Sequence, residues 1–151
     1  MNKRWLICGL AFWIALLCAV AVPSFARLPA AAPVHLTSRP EANLLEQQAK
    51  AYYEAGRLAE AATALQQASQ LYQTDHPLRQ AIVLSNLALT EQQIGSLESI
   101  ASANRAIQES LEILAGLPST TARLSAEAQI LDVQGRLQLT QGQAEAALSS
   151  W

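Results

Sequence analysis

Cysteine, histidine and lysine each occur only twice in these 151 residues, and methionine once. Both cysteines, Cys8 and Cys18, fall near the amino terminus, so nothing beyond position 18 offers thiol or disulfide chemistry. His35 and His76 are too few for a zinc site, which needs four ligands. Asp75-His76 resembles half of a catalytic triad, but no serine stands in a strained strand-to-helix turn. The glycines are isolated, so no phosphate-cradling loop exists. Glu41, Glu46, Glu54 and Glu60 read as a solvated face rather than an acid/base pair. No catalytic residue, metal ligand or cofactor is expected, and the chain reads as a non-enzyme.

There is one long apolar run. Lys3 and Arg4 precede Trp5–Val22, and Pro23-Ser-Phe-Ala26 follows with small residues where a signal peptidase reads. Residues 1–26 are therefore expected to be a signal peptide cleaved after Ala26. The alternative is an uncleaved anchor, since about 17–25 residues suffice to span a bilayer. Either way the remainder lies outside the cytoplasm, because the basic flank stays inside. Lipidation is disfavoured, as Ile7 and Leu17 precede the cysteines where a small residue is wanted. Without Lys3 and Arg4, eight basic side chains face twelve acidic ones, a net −4 with no run of like charge. Nucleic-acid binding needs clustered cations and is not expected. Membrane contact is expected only if the leader stays in place.

Residues 27–40 carry Pro29, Pro33 and Pro40 among small residues, the composition of an extended linker. From Glu41 the period becomes helical. Leu44, Leu45, Gln48, Ala49, Tyr52 and Tyr53 share one face, and Gly56 ends the helix. Further helices are expected over Leu58–Tyr72, from Pro77 to Ile94, over Leu97–Ala115 and over Thr121–Gln141, with a last one from Gln143. Asp75 or His76 is expected to cap the third, with Pro77 in its first turn, and Ser119 or Thr120 the fifth. No segment alternates with period 2, so the fold class is all-α.

The helices pair into hairpins. The first copy runs Leu44-Leu45, Ala49, Tyr52-Tyr53, Gly56, Ala61, Leu65, Ala68 and Leu71. The second runs Leu84, Leu87-Ala88, Gly95, Ile100, Ala103, Ile107 and Leu111. The third runs Leu131, Gly135, Leu139, Gly142, Ala146-Ala147 and Trp151. The turn glycines stand 39 and 47 residues apart. A single hairpin does not bury its own apolar face, so three must stack.

These residues resemble the tetratricopeptide repeat family. In the first copy Tyr52 precedes Gly56 by four, while Ala61 follows by five and Ala68 by twelve, as in that family's pattern. Leu131, Gly135, Gly142, Ala147 and Trp151 match in the third, and Leu84, Leu87, Ala88 and Gly95 in the second. Ile100, Asn104 and Ile107 depart from it, and the spacing exceeds the family's roughly 34 residues. The resemblance implies an α-solenoid over residues 41–151, two hairpins complete and a third cut short. It also implies that the first helix of each hairpin lines a concave groove. Asn43, Glu46, Lys50, Tyr53 and Glu54 then come from the first copy. The second supplies Ile82, Ser85, Leu89, Gln92 and Gln93, and the third Gln129, Asp132, Arg136, Leu139 and Thr140. Such a mixture suits a peptide or helix of a partner protein. A clamp for chaperone tails is not supported: only Asn86 falls at a clamp position, and Glu46, Gln129 and Val133 occupy its basic places.

The order of leader, proline linker and repeats also resembles the amino-terminal part of exported cyanobacterial proteins that join such repeats to a CHAT domain, a caspase-like protease fold. That resemblance implies a fragment, the regulatory part of a protease whose catalytic domain is not in this sequence. The apolar end at Trp151 fits a longer protein cut there, or a plug that closes the stack. Self-association through the unfinished third hairpin is a further expectation.

Overall fold

The structure, a computed structural model, describes residues 38–151. The expected leader, most of the linker, both cysteines and His35 lie outside the described residues. Six helices follow one another and no strand occurs among the described residues: α1 (Ser38–Glu54), α2 (Leu58–Tyr72), α3 (Pro77–Ile94), α4 (Leu97–Ala115), α5 (Thr121–Thr140) and α6 (Ala144–Ser150). The all-α expectation holds. α1 begins three residues before the expected helix start at Glu41, with Pro40 in its first turn. A proline is tolerated there because its missing N–H has no intrahelical acceptor to lose.

The turns explain the pairing. Gly56 and Gly142 have φ of 74°, in the left-handed region that a β-carbon disfavours. Around each, the same two bonds close the helix. Arg57 N donates to Tyr52 O (2.8 Å) and Gly56 N to Tyr53 O (3.0 Å). Likewise Gln143 N donates to Gln138 O (2.9 Å) and Gly142 N to Leu139 O (3.0 Å). This is the Schellman arrangement, which satisfies end-of-helix carbonyls and reverses the chain within three residues. The middle turn is different. Gly95 N donates to Glu91 O (3.2 Å), and Ser96 Oγ then accepts from Ser99 N (3.0 Å) to start α4.

Thr120 caps α5, its Oγ1 accepting from Arg123 N at 3.2 Å. His76 holds the N-cap position of α3 but makes no side-chain cap bond. Its ring instead stands edge-on to Tyr72, centroids 6.0 Å apart. Pro77 starts the helix as expected.

Packing runs from neighbour to neighbour. Each helix packs on the next in sequence, and α3 and α4 both also pack on α5. Ala61, Ala64 and Ala68 of α2 and Ala42 and Ala49 of α1 are buried, the small side chains that let two helices approach closely. Larger groups fill the space behind them: Tyr72, Val83, Ile107, Leu114, Ile130 and Leu137 are at most 2 % exposed. Burying such a side chain contributes about 1.5–3 kcal/mol. Polar bonds tie the layers together. Ser110 Oγ donates to Ala81 O at 2.8 Å in the interior, and Arg123 Nε donates to Leu114 O, a C-terminal carbonyl of α4, at 2.8 Å.

Two expectations of burial need correction. Leu44 is 53 % exposed and Gln48 is exposed, although both lie on the expected inward face of α1. Among the described residues no helix precedes α1 to cover that side. Trp151, at 61 % exposed, is not an enclosed plug. Its indole lies against the Gly135 backbone, where an added β-carbon would meet Nε1 at 2.5 Å.

Candidate functional site

Helices α1 and α3 are the first members of adjacent hairpins, and a groove runs between them. Glu46, Ala49, Lys50 and Tyr53 line it from α1, Asn86, Leu89 and Thr90 from α3, and Leu65 of α2 closes its floor. It encloses about 290 Å³. Ala49, Leu65 and Leu89 give it an apolar base, while ammonium, carboxylate, amide and phenol groups surround the rim. Four residues expected in the groove, Glu46, Lys50, Tyr53 and Leu89, are thus brought together. Thr90 was not foreseen, although it falls four residues after Asn86 on the same face.

One end of the groove is tied down by a polar junction of three helices. Glu46 of α1 pairs with Arg79 of α3, Nη2 lying 2.8 Å from both carboxylate oxygens. The Tyr72 hydroxyl of α2 lies 2.7 Å from Glu46 Oε1 and 2.6 Å from the Asn43 amide. A phenol has one proton to give, and the carboxylate takes it. Asn43 Oδ1 stands as a second acceptor facing the same hydroxyl. Burial, and after it the Glu46 carboxylate, push the Tyr72 phenol up from its ordinary value. Asn43 and Glu46, expected as ligand contacts, are therefore held first by their own chain. The pattern in sequence did not point to Tyr72 and Arg79 as their partners, because they meet across 26 to 33 residues.

At the other end, Gln93 Nε2 donates to the Tyr53 hydroxyl, joining α3 to α1. Gln92 turns the opposite way. Its Nε2 lies 3.3 Å from Arg136 O and 3.4 Å from Thr140 Oγ1, which extends the same face onto α5. Asp132 and Arg136 form an ion pair of 2.8 Å along α5, and Lys50 and Glu54 a looser one of 3.8 Å along α1. Leu139 is 47 % exposed on α5.

Ser85 is the correction. Expected to line the groove, it is fully buried, and its hydroxyl has no hydrogen-bond partner. The reason is the position of α3, which packs against α2, α4 and α5 and is covered around most of its circumference. Gln80 and Thr90 are buried on the same helix. Ala81 O, the carbonyl one turn before Ser85, already accepts from Ser110.

Among the described residues no group of three or more histidine, cysteine, aspartate or glutamate side chains is placed to hold a metal, and no helix is long and apolar enough to cross a membrane. Comparison with protein-family models, with curated proteins and with solved structures finds no match to this chain.

Proposed function

We propose that the chain is a non-catalytic scaffold of tetratricopeptide-like repeats, a short α-solenoid that holds a peptide or helix of a partner protein against α1, α3 and α5. The carrying observation is the groove between α1 and α3. Its apolar base is continuous and its polar groups stand at the rim, the layout that suits an amphipathic segment. The left-handed glycine at each hairpin turn supports the repeat reading, since Gly56, Gly95 and Gly142 share the same positive φ and the first and last also share the same pair of closing bonds. The leader-like run ahead of residue 27 supports action outside the cytoplasm.

Leu89 and Tyr53 carry the apolar part of the contact, and Lys50 and Arg136 select acidic side chains on the partner. The test is a peptide array of amphipathic sequences probed with the wild-type chain and with Leu89→Ala, Lys50→Ala and Arg136→Ala. Leu89→Ala is expected to weaken the best binders about tenfold, as truncation of a central contact does. The two charge variants are expected to lose acidic peptides only. Unchanged binding in all three variants sinks the proposal.

A further inference from the structure

A different face of α3 carries a second furrow. Gln80, Leu84, Leu87 and Glu91 follow one another at i, i+4, i+7 and i+11, a stripe along one side of the helix. α2 and α4 wall it on either side. Two recesses, of about 290 and 310 Å³, share Gln66, Ser102 and Arg105 and so run into one another. Gln80 and Glu91 are eleven residues apart, so the furrow is about 16 Å long at 1.5 Å per helical residue. That matches about five residues of extended chain at roughly 3.4 Å each.

The lining is that of a built site rather than a gap. Gln80 is only 6 % exposed and its side chain makes no hydrogen bond among the described residues, yet it lines the furrow. The Gln80 amide has no protein partner among the described residues and is open to a ligand in the furrow. Gln66 and Gln70 stand on the α2 wall. Each amide both donates and accepts, as a peptide group does. Arg105 on the α4 wall has no ion-pair partner within 4.0 Å among the described residues. Its N–H groups are free for backbone carbonyls. Carboxylates mark the ends: Glu91 and Glu98 at one, Glu109 at the other. Burial pushes the Glu91 carboxyl up against the opposing hydrogen bond from Ser102, and Glu98 adds to the rise. The Arg105 charge opposes the rise, and the two carboxylates still outnumber that one cation at this end of the furrow.

We propose that this outer furrow is a second binding site, independent of the groove between α1 and α3, and that it takes a short extended peptide with basic residues at its ends. The backbone pairs with Gln66, Gln80 and Arg105, a small central side chain rests on Leu84 and Leu87, and the terminal cations meet Glu91 and Glu109. An acidic peptide is repelled at both ends.

Fluorescence anisotropy of the fluorescein-labelled peptide Lys-Ser-Ala-Ser-Lys against the full chain tests this. Saturable binding is expected, with Glu-Ser-Ala-Ser-Glu at least about tenfold weaker, the effect of opposite charge at short range. Gln80→Leu, which keeps the volume and leaves no polar group behind, is expected to weaken binding about tenfold while the thermal melt is unchanged or higher. Glu91→Gln is expected to narrow the difference between the two peptides. Leu89→Ala is expected to leave the affinity as it is. Equal binding of the two peptides, no binding at all, or loss in Leu89→Ala with none in Gln80→Leu each overturns the proposal. The last outcome assigns the peptide to the inner groove.

Discussion

The middle and last hairpins end their first helices on the same kind of residue, a glycine with φ near 73°, yet they are held very differently. In the middle one, α3 buries Val83, Leu84 and Leu87, and α4 buries Ala103, Ile107 and Leu114. In the last one, α6 buries Ala147 alone, Leu148 is 72 % exposed, and Trp151 leans on Gly135 with most of its surface in solvent. The difference is one of neighbours. The middle hairpin is packed on both sides, the last on one. Turn chemistry therefore decides where a hairpin forms, and cover on both faces decides how firmly it stands.

Removing core volume gives the largest contrast. Ile107→Ala is expected to cost about 3 kcal/mol, because the cavity opens inside a packed layer. Leu148→Ala should cost at most about 0.5 kcal/mol. Urea unfolding followed by circular dichroism measures both, and equal costs would break the comparison.

The junctions between hairpins give the next. Tyr72→Phe removes the hydroxyl shared by Glu46 and Asn43 and is expected to cost about 1–2 kcal/mol. Gln92→Ala, which removes only long contacts to α5, should cost less. The phenol also predicts a pH effect. Tyr72 keeps its proton to higher pH in the folded chain than in the unfolded one, where tyrosine titrates near about 10. Its contribution is complete below that pH and is lost as pH rises through the folded value, so stability should fall above about pH 10. Urea midpoints taken between pH 8 and 11 should show a shallower alkaline decline in Tyr72→Phe than in the wild type.

The smallest effect has the opposite sign. Ser85→Ala removes a buried hydroxyl that has no partner and is expected to stabilise the chain by up to about 1 kcal/mol, read as a raised melting temperature. A destabilised Ser85→Ala would mean that the hydroxyl has a partner after all.

Helix type and order were legible because each helix ends on local chemistry. Gly56, Gly95 and Gly142 close helices, and Pro77 and Thr120 open them. Four of the groove residues were legible for a related reason, since a face of one helix follows from spacing alone. Ser85 was not. Its burial depends on α3 being covered by several helices at once, and a helix covered all round has no clear polar side for spacing to reveal. Arg79 and Tyr72 were missed because their partners lie far along the chain. The outer furrow was missed because the spacing along α3 does not show that α2 and α4 stand on either side of it.

Every packed pair of helices is adjacent or next-but-one along the chain. Few distant segments must therefore find each other before contacts begin to reward the search. Low contact order of this kind goes with folding in microseconds to milliseconds rather than seconds. The middle hairpin, with partners on both sides, is the natural place for that process to begin. From there α1 and α2 dock on one side and α5 and α6 on the other, and the outermost helices are the first to come away when the chain opens.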